Sequence, residues 1–210
     1  ICRFVQRARR IQVLRKNCNP ETMLERVRTN SARLETFEAG DEVKVHSSVL
    51  VALAGCPQLT KVQMRQISNR SGTTAAGLFG AEPLSRLRVL DVLGLPPPVT
   101  TEVLKATMPC LEEFSGAPSD WSRLTRFSST LTSLRVPPTA NQAEFVAMCR
   151  AIGTLTNLTV LRVDYGEQPY VDPGVEMKEV DDTLVWALPN LRVFESVYGR
   201  YRCYPPLLAP

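Results

Sequence analysis

Apolar and polar residues along the chain follow one recurring phrase, seen as RIQVLRK, RLETFEA, QLTKVQM, RLRVLDV, CLEEFSG, TLTSLRV, NLTVLRV and NLRVFES. Each reads x-L-x-x-L-x-h. The first anchor is Ile11, Leu34, Leu59, Leu87, Leu111, Leu131, Leu158 and Leu191; three residues later stand Leu14, Phe37, Val62, Leu90, Phe114, Leu134, Leu161 and Phe194. All of these are apolar. Five residues after the first anchor come Lys16, Ala39, Met64, Val92, Gly116, Val136, Val163 and Ser196. Lys16 and Ser196, the two polar exceptions, fall in the end units, where a wetter face is expected. Alternation around the second anchor predicts a short strand in each phrase, burying that anchor and turning its neighbours outward.

Between phrases, helical segments are predicted at 21–27 behind Pro20, 48–54, 100–107 behind Thr100, 143–151 and 181–187 behind acidic residues. Each unit is then a strand plus a helix, which cannot bury both faces alone but can bury them against its neighbours. One ambiguity stands out. Trp121, Leu124 and Phe127 offer a competing register only seven residues before Leu131.

Successive first anchors are separated by 23, 25, 28, 24, 20, 27 and 33 residues, mostly inside the repeat length of leucine-rich repeats. On these phrases, over roughly residues 8–199, the sequence resembles the leucine-rich-repeat family. The resemblance implies an α/β solenoid: a single domain over 1–210, curved, of about eight repeats, with parallel strands on a concave face, helices or irregular segments on the convex face, and a cap or tail at about 199–210. The family's asparagine eight residues after the anchor is met only by Asn19, so the array is divergent and its subclass open.

The family's concave face commonly holds protein partners, and strand alternation exposes the same positions. Four after each anchor the row reads Arg15, Glu38, Gln63, Asp91, Ser115, Arg135, Arg162 and Glu195; two after, Val13, Thr36, Lys61, Val89, Glu113, Ser133, Val160 and Val193. Aliphatic, aromatic and charged residues gather toward the carboxyl end, so Val160, Arg162, Tyr165, Val193, Glu195 and Tyr198 form the expected partner site. Residues 166–182, with six acids against Lys178, would flank it, and the other long insertion, 65–83, would emerge on the same edge.

Composition narrows the chemistry. His46 is the only histidine, which removes histidine-based triads and multi-histidine metal sites from this chain, and it reads as a surface or helix-start residue. The six cysteines lie at least 15 residues apart, which excludes CxxC motifs; Cys56 sits at a core position, and reduced thiols in an intracellular, cytoplasmic setting are expected. The glycine-rich stretch 71–80 has neither the lysine of a P-loop nor GxGxxG spacing and reads as a mobile loop. The sequons at Asn69 and Asn157 would matter only in a secreted protein. Adjacent acids such as Glu112 and Glu113 make no acid and base pair. No cofactor, metal, small-molecule substrate or membrane segment is expected. The opening Ile1 in place of Met reads as a trimmed or processed chain.

A non-catalytic protein-binding scaffold or adaptor is therefore the expected function. One alternative is a ubiquitin-ligase substrate receptor of the F-box and leucine-rich-repeat type, with its box upstream. Another is an RNA-associated or ribonucleoprotein subunit using the basic amino terminus, since residues 1–33 carry nine Arg or Lys against two Glu. In that stretch Arg3, Arg7, Arg9, Arg10, Arg15 and Lys16 offer phosphate-type charge and Phe4 alone for stacking, which suits a solvated or assembly face better than base reading. A third is a solenoid resembling the Ran GTPase-activating proteins, for which Arg135 or Arg162 could supply an arginine.

Overall fold

The computed structural model describes residues 8–14, 18–68, 79, 83–137, 142–166, 188–198 and 201–203, with the backbone alone at 142, 165, 166, 196–198 and 201–203. In chain order the elements are β1 (Arg10–Val13), α1 (Pro20–Asn30), β2 (Thr36–Ala39), β3 (Lys44–His46), α2 (Ser47–Ala54), β4 (Lys61–Gln63), β5 (Gln66–Ser68), β6 (Val89–Asp91) and α3 (Pro97–Val103). There follow β7 (Glu113–Ser115), a 3₁₀ helix (Trp121–Phe127), β8 (Ser133–Val136), α4 (Gln142–Ile152), β9 (Val160–Gly166), β10 (Val193–Tyr198) and β11 (Tyr201–Cys203). The protein is thus α/β. Its main sheet has nine strands in the order β1-β2-β4-β6-β7-β8-β9-β10-β11. All neighbours are parallel except β10 and β11, and β3 pairs with β5 in a small parallel sheet of its own.

One strand arises from each phrase, and the phrases align residue for residue. Phe37, Val62, Leu90, Phe114, Leu134, Leu161 and Phe194 face one another across successive strands and are all buried. A single apolar cluster runs from Ile11 to Phe194. The same backbone carbonyl in each unit, one residue past the first anchor, ties it to the next. Arg9 accepts from the N–H groups of Glu35 and Thr36, Glu35 from Thr60 and Lys61, and Thr60 from Arg88 and Val89. The series continues through Arg88, Glu112, Thr132 and Thr159 to Arg192 and Val193. Thr60, Thr132 and Thr159 add a hydroxyl donor to it.

The first unit corrects the predicted register by three residues. Ile11 lies opposite Phe37 and Val13 opposite Ala39, so Ile11 is the second anchor there and Ala8 takes the first position. Leu14, expected in the core, is 72% exposed, whereas Val13, expected on the outward row, is buried. Two apolar pairs, Ala8 with Ile11 and Ile11 with Leu14, fit the phrase equally well, and only the first puts Ile11 and Val13 on the core face of one strand. The outward rows accordingly begin with Arg10 and Gln12 in place of Val13 and Arg15; Arg15 and Lys16 lie outside the described residues.

Trp121, Leu124 and Phe127 are all buried on the 3₁₀ helix and do not form a rival strand. Their three-residue spacing stacks them on one face of a helix with three residues per turn. Asp120 caps it by accepting from the Ser122 N–H at 3.2 Å. Four predicted helices are present with shifted ends, α1 reaching Asn30 and α3 spanning Pro97–Val103; the segment 181–187 lies outside the described residues. Asn19 caps α1 through its Oδ1, 2.9 Å from the Glu21 nitrogen, and His46 caps α2, its Nδ1 accepting from the Ser48 N–H at 3.3 Å. Gly94 is needed for closeness, because a Cβ there would stand 2.3 Å from the Arg65 carbonyl oxygen.

Replacing Leu90 or Leu161 by Ala leaves a cavity between adjoining strands and should lower unfolding free energy by roughly 2–5 kcal/mol, while Arg88→Ala and Leu14→Ala, on exposed side chains, should cost far less. Denaturant unfolding of the four variants checks the register, and a loss at Leu14 comparable to that at Leu90 would contradict it.

Candidate functional site

The outward face of the main sheet carries two ordered rows. One reads Arg10, Thr36, Lys61, Val89, Glu113, Ser133, Val160 and Val193; the other reads Gln12, Glu38, Gln63, Asp91, Ser115, Arg135, Arg162 and Glu195. The strands place these side chains because their neighbours in sequence are the buried anchors, and alternation leaves no other direction.

Charges on this face are largely paired between strands. Arg10 and Lys61 converge on Glu38 from the strands on either side, with Lys61 Nζ at 2.8 Å from Oε1. Burial alone pushes the Glu38 carboxyl up, but hydrogen bonds and charge from Lys61 and Arg10 outweigh it and hold the group below its ordinary value of 4.5. Further along, Arg65 meets Asp91, and Arg135 donates through Nε and an Nη to Asp164 Oδ2 at 3.1 and 3.0 Å. Arg162 Nε donates to Glu195 Oε2 at 2.7 Å.

Of the expected partner site, the structure brings four residues into one tile: Val160 lies opposite Val193, and Arg162 opposite Glu195, on β9 and β10. Val160 is half-buried, whereas Val193 is 40% exposed. The side chains of Tyr165 and Tyr198 lie outside the described residues. Their backbone shows a register shift, since Val197 pairs with Asp164 but Tyr198 with Gly166, so Tyr165 is the extra residue of β9. The acidic segment 167–182 is likewise outside, as are Arg3 and Arg7. Arg9 pairs with Glu35 and Arg10 with Glu38, so this part of the basic end is compensated internally. Within the glycine-rich stretch, Phe79 lies in a turn with its side chain buried in the core, and the other residues of 71–80 lie outside the described residues.

Sequence reasoning missed the triad around Glu38, because the slipped register hid Arg10, and the Arg135–Asp164 pair, because Asp164 lies just beyond the two rows. Elsewhere, α1 and α2 bound an open hollow of about 350 Å³ lined by Arg28, Ser31, Ser48, Val51, Ala52 and Gly55. Cys18, Cys56, Cys110 and Cys149 form no disulfide, and burial pushes the Cys56 thiol up to about 11. Among the described residues, no group of three or more His, Cys, Asp or Glu could hold a metal, and no helix is long and apolar enough to cross a membrane. No family model, curated protein or solved structure matches the chain.

The depressed Glu38 value sets a pH signature. Its stabilisation is fully present above 4.5 and is lost as pH falls through the lowered folded value. Unfolding free energies measured over an acid series should therefore fall more steeply below pH 4.5 in the native chain than in Glu38→Gln, and equal slopes would show that the triad holds no ion-pair energy.

Proposed function

We propose that the chain is a divergent leucine-rich-repeat solenoid, one domain over 1–210, that acts without catalysis as a protein-binding scaffold or adaptor. Its partner sits on the strand face around Val160, Arg162, Tyr165, Val193, Glu195 and Tyr198. The observation that carries this is the in-register array itself: one strand per phrase sets every outward side chain in fixed rows, a preorganised surface that loses little entropy on binding. Exposed Val193 beside Val160, edged by the Arg162–Glu195 pair, has the apolar centre and charged margin of a recognition patch. The pairing of Arg9 and Arg10 with acids favours a protein partner over a phosphate backbone.

Val193→Asp and Arg162→Ala should each weaken a partner recovered by affinity purification by about 2 kcal/mol or more, with the melting temperature little changed. Isothermal titration beside thermal unfolding decides it. Full affinity per folded molecule in both variants, with a sharply lowered melting temperature, would make the patch structural and place binding elsewhere.

A further inference from the structure

Among the described residues of the outward rows, one charge stands apart. Arg10 and Lys61 share Glu38, Arg65 is held by Asp91, Arg135 by Asp164 and Arg162 by Glu195. Glu113 is exposed on β7, the middle strand of the sheet, and its carboxylate has no hydrogen-bond or ion-pair partner among the described residues. The acid beside it in sequence, Glu112, is already engaged with Arg88 at 3.4 Å. Across the strands Glu113 is flanked by Val89 and Ser133, and Ser115 follows two residues on; the diagonal neighbours Asp91 and Arg135 are engaged with Arg65 and Asp164.

We propose that Glu113 receives a lysine or arginine side chain from an extended segment of a protein partner lying across the strands, while an apolar side chain of that segment reaches Val160 and Val193. This rests on the strand face being the binding surface. Charge complementarity selects the occupant: a carboxylate with no cation of its own attracts one and disfavours a phosphate beside it. Ser115 and Ser133 leave room for a long side chain and offer it hydroxyl acceptors. The spacing follows from sheet geometry. Adjacent strands lie about 4.8 Å apart, so Val160 and Val193 are about 10 and 14 Å from Glu113, the reach of three to four residues of extended chain. The segment should therefore carry its basic residue three or four positions from an apolar one.

A randomised peptide library displayed on phage, selected on the full chain, supplies the probe. Selected peptides should carry a lysine or arginine whose replacement by alanine weakens binding to the native chain about tenfold or more, yet changes little on Glu113→Gln, a variant that should melt like the native chain. Peptides without a basic residue, or whose basic residue matters equally on both proteins, overturn the assignment of Glu113. If those same peptides still lose affinity on Val193→Asp, the strand face remains the binding surface and only the role of Glu113 fails. Peptides indifferent to both substitutions, or no selected peptide at all, remove both.

Discussion

The structure depends on one repeated backbone constraint, the carbonyl just past each first anchor that accepts two N–H groups from the following unit. The strands it joins are short, with β4, β6 and β7 of three residues each, and so short a strand has no stability alone. Because the same acceptor recurs from Arg9 to Thr159, each unit fixes the register of the next. A slip of one residue would turn the row from Phe37 to Phe194 toward solvent, so pairing and burial enforce each other.

Packing between the phrases varies around that constraint. Where a buried apolar residue stands three before the anchor, as with Cys56, Leu84, Met108, Leu155 and Leu188, its carbonyl accepts from the anchor N–H. Where Ser31 and Ser128 occupy that place, Leu34 and Leu131 reach one residue further back, to Asn30 and Phe127 at helix ends. In the loop before the 3₁₀ helix the acceptor is a side chain, Thr101 Oγ1 from α3, which accepts from the Ser119 and Asp120 N–H groups at 2.8 and 3.2 Å. Different side chains thus satisfy the loop backbone, which buried polar groups require.

On the outward face the ordering acts on charge. Side chains one strand apart are close enough to pair, so Glu38 between Arg10 and Lys61, and Arg162 against Glu195, follow from register and not from sequence proximity. The exceptions on this face are the valines at β9 and β10 and the Glu113 carboxylate at β7, which has no partner among the described residues.

The strands of the eight phrases, the buried rows beyond the first unit and four of the helices were legible in the sequence, because apolar periodicity and capping residues such as Asn19 act locally and recur, whereas β3, β5 and β11 lie outside the phrases and were not. Tertiary structure alone decided the first unit, where Ala8, Ile11 and Leu14 satisfy the phrase in two ways and only pairing with β2 buries Val13 and exposes Leu14. It likewise decided Trp121, Leu124 and Phe127, whose three-residue spacing suits a 3₁₀ helix as well as a rival phrase until Leu134 pairs with Phe114. On the outward face, the rows that carry Val160, Arg162, Val193 and Glu195 were legible. Its electrostatics were not, since whether Arg162 is free or held by Glu195, and whether Glu113 has a partner, depends on which strands lie side by side, a contact between residues far apart in the chain that no local pattern records.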